Sequence, residues 1–364
     1  MRPGDLTPAQ VSAWERMQDG APEYGNPFLS PGFALAVGRV HQQARVAVLI
    51  DDGVEAGFLA FERNNLGAGS PIAAGIADQQ CLVARPGVEW RPQALLAAAG
   101  LHSLKFENYP AQRLPDGSAH VVEYGSPVID LRNGFRGYLA ERRAVSKSLV
   151  PTMERKRRKL EREVGDLRFD FESTNVNALH TVMRWKSAQY SAMSEWDRFA
   201  DPRTVALLED LLAVRTPGCT GTLSVLYAGD EVAAAHFGLR SRTVICSWFP
   251  TYNPRLAKYS PGLLLHFLMA ESAAELGVTT FDLGRGEHGY KDALKSFDLR
   301  LARSRLFRRS VPGLAHRLAT APRHHVRPLV KRHPDLEAVL VRGARRVREI
   351  AGAGREARSG VLPR

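Results

Sequence analysis

Six polar side chains fall near strand ends in the second half of the chain: His236, Asp282, Glu287, His288, Tyr290 and Lys291. Imidazole, carboxylate, phenol and amine are the groups that move protons and place charge in a nucleophilic transfer. Between them lies Ser260-Pro261-Gly262, which opens an apolar helical pattern. Serine suits the capping position, proline fixes the first helical φ, and glycine lets another group approach the backbone. Free N–H groups and the helix dipole at such a start favour a phosphate. Arg255 and Lys258, just upstream, add positive charge. What these residues predict is a site for a phosphorylated ligand. The bland alternatives are an ordinary capped helix, a structural strand histidine, an Asp282 that caps a turn, and a Lys291 paired with Glu287.

Other chemistries are excluded by spacing. Cys81, Cys219 and Cys246 are odd in number and widely separated, which gives neither a disulfide framework nor a zinc site, so no metal is expected. Gly284-Arg285-Gly286-Glu287-His288-Gly289 has the form of a dinucleotide fingerprint. That motif needs an acid about 20 residues on, and Ser304–Ser310 holds only basic and neutral residues.

The positioning elements are legible from periodicity. Thr222–Tyr227, Val232–Leu239 and Val244–Phe249 alternate as a three-strand meander, Leu263–Gly277 reads as a helix, and Thr279–Leu283 as the next strand. In the second of these strands His236 falls between Ala234 and Gly238, small neighbours expected to leave its imidazole accessible. Tyr290–Phe297 reads as a short helix and Ala302–Phe307 as a last strand. Earlier, residues 7–19 read as a helix, Arg45–Ile50 and Ala56–Arg63 as a hairpin, Asn64–Asp78 as loop, and Phe135–Gly165 as one long connecting helix with a basic stripe. A looser echo of the later pattern in the first half suggests a degenerate duplication.

An apolar share of 44% fits a folded protein. The net charge of +12 is uneven: from Arg303 onward there are 16 Lys and Arg against four acids, so residues 1–300 hold 34 of each. A body without excess positive charge argues against a fold built throughout to grip nucleic acid. The basic end, with an amphipathic helix expected over Leu336–Ile350, suits solvent, an anionic partner or an anionic membrane surface. Without a signal-peptide pattern or a long apolar run, the expected location is the cytoplasm, with peripheral contact at the inner membrane face.

Taken in order, Ala-Ala-His236-Phe-Gly, Trp248-Phe-Pro-Thr-Tyr252-Asn-Pro, Lys258-Tyr-Ser-Pro-Gly262, Phe281-Asp-Leu-Gly-Arg-Gly286 and Tyr290-Lys291 resemble the CelD-like (cellulose-biosynthesis-associated) acetyltransferases. These belong to the Gcn5-related N-acetyltransferase (GNAT) superfamily and are related to the Fem-type peptidyltransferases. Asn26-Pro-Phe-Leu-Ser-Pro31 and the basic run Arg155–Glu163 resemble the same family. The resemblance implies an α/β fold of two GNAT-like lobes, each a mixed, mostly antiparallel sheet flanked by helices. The implied divisions are 1–140, a connecting helix 141–165, a donor-binding lobe 166–310, and a basic tail 311–364.

It also implies acetyl-CoA or another acyl-CoA as co-substrate, held by Phe249, Arg255, Lys258, Tyr259, Ser260 and Gly262. His236 or Glu287 would be the base, Tyr290 the acid, and Asp282 and Lys291 would position the acceptor. That acceptor would be a small-molecule or glycan amine, such as an amino sugar or sugar nucleotide of cell-surface polysaccharide. The superfamily's phosphate loop is Gln/Arg-x-x-Gly-x-Gly/Ala, whereas Lys258 and Ser260 stand here where glycines are expected. That departure keeps another donor open, a longer acyl-CoA or a charged tRNA, and the final amphipathic helix keeps open a non-catalytic assembly protein at the membrane.

Overall fold

Proline and small polar residues set where the helices begin. The computed structural model describes residues 1–73, 76–286 and 289–320. In it α1 (Pro8–Asp19), α2 (Pro31–Val40) and α3 (Pro92–Ala98) all start at a proline, where a missing N–H costs nothing. Thr7 and Ser30 cap the first two by accepting the N–H groups of Gln10 and Phe33. The strands of the first half are β1 (Ala44–Asp51), β2 (Val54–Arg63), β3 (Ala68–Pro71), β4 (Val83–Ala84), β5 (Ser103–Pro110) and β6 (Ala119–Asp130). Strand β3 lies inside the stretch expected as loop. Its glycine content reflects close packing: a Cβ on Gly69 would come within 2.7 Å of Leu104.

The connecting helix expected over 135–165 is two helices, α4 (Gly134–Val145) and α5 (Leu149–Val164), separated where Ser146 turns extended. Then follow β7 (Leu167–Asp170), α6 (Val176–Ala192), α7 (Pro202–Ala213), β8 (Arg215–Thr216), β9 (Cys219–Ala228), β10 (Glu231–Arg240) and β11 (Val244–Tyr252). Helix α8 (Pro261–Glu275), β12 (Thr280–Asp282), α9 (Gly289–Leu294) and β13 (Phe297–Phe307) complete the body.

The strands join one mixed sheet in the order β1-β2-β3-β5-β13-β6-β12-β11-β10-β9-β7, with β4 on β2 and β8 on β9. Its two halves repeat one connectivity. In each, three antiparallel strands are followed by a crossover and a strand parallel to the third: β5 on β3, and β12 on β11. The halves then exchange their last strands. From the first half, β6 pairs with β12 through Asp130↔Thr280 and Val128↔Asp282; from the second, β13 lies between β5 and β6. Met1–Leu306 is therefore one compact unit.

One apolar cluster gathers Trp14, Phe33, Phe58, Leu208 and Phe237; a second gathers Tyr138, Leu160, Leu265, Met269 and Phe281. Helix α8 belongs to the second and is buried on most sides, so its run of leucines serves the core. The unit from Phe307 onward contains one described helix, α10 (Val311–Thr320); the helix expected over 336–350 lies outside the described residues. Among the described residues no helix is long and apolar enough to cross a membrane.

Candidate active site

Strands β11 and β12 part company early. Their ladder runs from Val244↔Thr280 to Cys246↔Asp282 and stops, while β11 continues to Tyr252. Asp282 drives the divergence. Its Oδ1 accepts Ser126 Oγ–H at 2.8 Å and Gly284 N–H at 2.9 Å, which folds the chain back at once. Gly284 takes φ 73°, a conformation glycine adopts without Cβ strain. The gap opens into a cavity of about 880 Å³, walled by the edge of β11, the start of α8, helix α6 and the segment from Ile76 to Asp78.

At one end of the cavity stands the N-terminus of α8. Ser260 does not cap it, contrary to the sequence reading: the residue is left-handed (φ 54°, ψ 49°) and its side chain makes no cap bond. A non-glycine residue pays about 1 kcal/mol for this geometry. In return its Oγ accepts a hydrogen bond from Lys156 Nζ on α5. Pro261 has no N–H, and the N–H groups of Leu263 and Leu264 both reach Ser260 O at 3.1 and 3.2 Å. Among the described bonds this leaves Gly262 N–H as the first-turn donor at the cavity. Lys156 does not itself line the cavity and reaches this helix start through Ser260.

Arg255 and Lys258 are turned elsewhere. Each makes a 3.4 Å ion pair, Arg255 with Glu231 and Lys258 with Glu163, and neither lines the cavity. Tyr259 is buried with its hydroxyl donating to Glu163 at 2.8 Å. Of the expected donor-site residues, Phe249, Ser260 and Gly262 line the cavity.

His236 is not accessible. Opposite Gly238 the strand β11 carries a bulge of two residues, Ser247 and Trp248, and His236 Nε2 accepts the displaced Trp248 N–H at 3.2 Å. The small neighbours make room for the ring within the core: a Cβ on Gly238 would sit 2.5 Å from its Cε1. Burial pushes the imidazole down to about 3, with neighbouring His266 adding to the effect. Asp282 is also buried, its carboxyl pushed up by burial, and it shapes the turn. Glu287 and His288 lie outside the described residues.

Tyr290 and Lys291 do line the cavity. Burial raises the Tyr290 phenol to about 12, so it stays protonated at neutral pH. Lys291 Nζ donates to the carbonyls of Gly284 at 2.9 Å and Arg285 at 3.2 Å, fixing the turn after β12.

A second histidine, in the cavity wall, escaped the sequence reading. His266 lies one turn into α8; its Nδ1 contacts Gly262 O at 2.7 Å and its Nε2 contacts Ser247 Oγ at 3.2 Å. A carbonyl can only accept, so Nδ1 carries the proton and the Nε2 lone pair faces the serine hydroxyl. Burial, with Lys291 and Lys186 nearby, holds the ring down to about 4, hence neutral. In the sequence it stands as one polar residue in an apolar run, which marks position on a buried helix and nothing more.

The far end of the cavity is charged. Asp78, Lys186, Glu195 and Arg198 line it, and none was singled out by pattern. Burial and the like charge of Asp282 raise Asp78 to about 7; burial and the charges of Lys291 and Arg198 lower Lys186 to about 8.

Comparison with known proteins agrees with this geometry. Residues 147–292 match the acetyltransferase (GNAT) domain family. The fold is shared with the C-terminal domain of a protein from Agrobacterium fabrum named as a lysylphosphatidylglycerol synthetase (TM-score 0.53, 12% identity, covering 84% of this chain and 95% of that one). It is shared with a conserved protein of unknown function from Bacteroides thetaiotaomicron (0.52, 11%, 83% and 98%) and with FemX (0.51, 11%, 72% and 88%). At such identities the likeness concerns the fold. No curated protein matches the sequence significantly. Residues 147–292 thus match a GNAT acetyltransferase domain, which supports an N-acyltransferase.

Proposed function

We propose that the protein transfers an acyl group directly from acyl-CoA, most simply acetyl-CoA, to an amine. On the resemblance to CelD-like enzymes that amine belongs to an amino sugar or sugar nucleotide. The observation that carries the donor assignment is the parting of β11 and β12 beside the α8 N-terminus. The diphosphate lies at Gly262 N–H with Lys156 beside it, and the pantetheine arm enters between the two strands. The thioester carbonyl reaches the unpaired edge of β11 near Phe249, where a backbone N–H polarises it.

The amine nitrogen attacks the carbonyl carbon, the C–N bond forms and the C–S bond breaks. Tyr290 donates its proton to the departing thiolate. The proton lost by the amine passes to His266 Nε2 by way of Ser247 Oγ. A bound diphosphate one helical turn away adds negative charge and raises the affinity of that imidazole for a proton.

Isothermal titration with acetyl-CoA tests the donor. Wild type should bind, and Gly262→Trp, which fills the space beside Tyr252, should not; a Cβ built on Gly262 would already meet that ring at 3.4 Å. Absence of binding to wild type would remove the assignment.

The exposed arginines and lysine of α5, Arg155, Arg157, Arg158, Lys159 and Arg162, support a second reading, an aminoacyl-tRNA donor. In that case tRNA should bind, with affinity falling steeply as salt rises. Binding of tRNA without binding of acetyl-CoA would favour this donor over the first.

A further inference from the structure

The acceptor end of the cavity has an unbalanced set of charges. Among the described residues four cationic side chains line it (Lys186, Arg198, Arg285 and Lys291) against two acids (Asp78 and Glu195). Among the described residues none of these four cations forms a salt bridge. Lys186 Nζ is held by the neutral Gln189 Oε1 at 3.1 Å, and the Arg198 guanidinium stacks 4.8 Å from the Tyr190 ring. Arg285 likewise lies on a ring, 4.1 Å from that of Tyr124, and Lys291 spends its protons on backbone carbonyls. Burial, and after it the charges of Lys291 and Arg198, depress Lys186, so part of its cost is repulsion between cations. An anion between them would relieve it.

Asp78 comes from elsewhere in the chain. It lies in the connection between β3 and β5 of the first repeat and enters the cavity of the second, on a segment pinned by Trp248 Nε1 donating to Ile76 O. Its carboxylate approaches the Gly284 turn: a Cβ built there would lie 3.4 Å from Asp78 Oδ2. The first repeat therefore contributes to the site of the second an acid facing the cations of α6 and its following loop.

We infer that the acceptor is an amine that also carries an anionic group, a carboxylate or a phosphate, with Asp78 holding its ammonium and Lys186 with Arg198 holding its anion. The inference rests on the N-acyltransferase reading above and narrows its acceptor class. It gives the first repeat a role in acceptor recognition, and it predicts poor binding of neutral amino sugars. Charge-assisted contacts to a bound anion are strong enough to make the discrimination tenfold or more.

The test is calorimetry on the full chain without donor, using matched pairs of amines. Glucosamine 6-phosphate is paired with glucosamine, and amino acids with their amides. At least one anionic member should bind tenfold or more tightly than its uncharged counterpart, and the pair that does so identifies phosphate or carboxylate. Lys186→Met and Arg198→Met should each erase that preference, while Lys186→Arg should retain it, with unchanged thermal midpoints showing that the fold survives. No preference in any pair, or a preference that survives in the Lys186→Met Arg198→Met double variant, overturns the inference. Acetyl-CoA titration on the same samples reports on the donor separately, so failure of the donor assignment does not pass for failure of this one.

Discussion

His266 and Gly262 are joined by a 2.7 Å contact between Nδ1 and the carbonyl oxygen, within the first turns of the helix whose start faces the donor end of the cavity. One bond thus orients the imidazole from the same residue that offers its N–H to the cavity. The ring cannot turn to another tautomer without setting the Nδ1 lone pair against that carbonyl oxygen.

If the imidazole is the base, His266→Gln should lower kcat by about a hundredfold, the low end for a general base. The acetyl-CoA Kd should stay within about twofold, since the backbone donor is untouched. Ser247→Ala should fall between wild type and His266→Gln, because a water can replace a hydroxyl relay. Equal kcat in all three proteins, measured by thiol release, would exclude the relay.

Tyr290→Phe keeps the ring beside His266, whose centroid is 5.6 Å away, and removes the hydroxyl. The expected outcome is a fall in kcat of about a hundredfold with little change in donor affinity. A donor with a more acidic thiol needs less protonation and should narrow the gap, a readout that a packing defect would not produce.

Removing the charge at the donor end should be felt in binding. Lys156→Gln should weaken acetyl-CoA by about fivefold to tenfold, with a smaller loss at high salt because the interaction it removes is screened. Arg255→Gln and Lys258→Gln, whose charges are spent on Glu231 and Glu163, should change it by less than about twofold. Calorimetry of the three variants separates the helix-borne lysine from the pair read in the sequence.

Stability should fall on acidification, by an identifiable route. Burial holds His236 and His266 down to about 3 and about 4 in the fold, against an ordinary 6.5 when exposed, so between those limits the unfolded chain binds more protons. Each therefore withdraws about 1.4 kcal/mol per pH unit below 6.5. Asp78 acts in the opposite sense: burial raises it to about 7 from an ordinary 3.8, so its contribution is lost as pH rises through 7. Urea unfolding at pH 7 and pH 5 should show a larger loss for wild type than for His266→Gln. The same loss in both would refute the assignment.

Much of the second repeat was legible in the sequence, because its strands alternate cleanly and Pro261 marks the start of α8. The site was legible only in part. Tyr290, Lys291, Phe249, Ser260 and Gly262 lie together because they follow strand ends and a helix start, which local pattern can locate. His236 misled: small neighbours can uncover a ring or make a hole for it, and only the bulge at Ser247-Trp248 decides which. Asp78 was invisible, since nothing in a Gly- and Ala-rich stretch announces that it will cross into the cavity of the other repeat. Lys156 was one of many cations on its helix, and its distinction is the side of α5 that meets Ser260.

The traded strands also constrain how the chain is made. Val128 in β6 is paired with Phe297 in β13, so the middle of the sheet cannot close until nearly all of the body has left the ribosome. Until then β6 waits with an open edge, a surface on which strands aggregate. A cut in the linker before α5 would strand each piece with an edge made for the other. Neither fragment should be soluble alone, whereas the two expressed together have complementary edges and can reassemble.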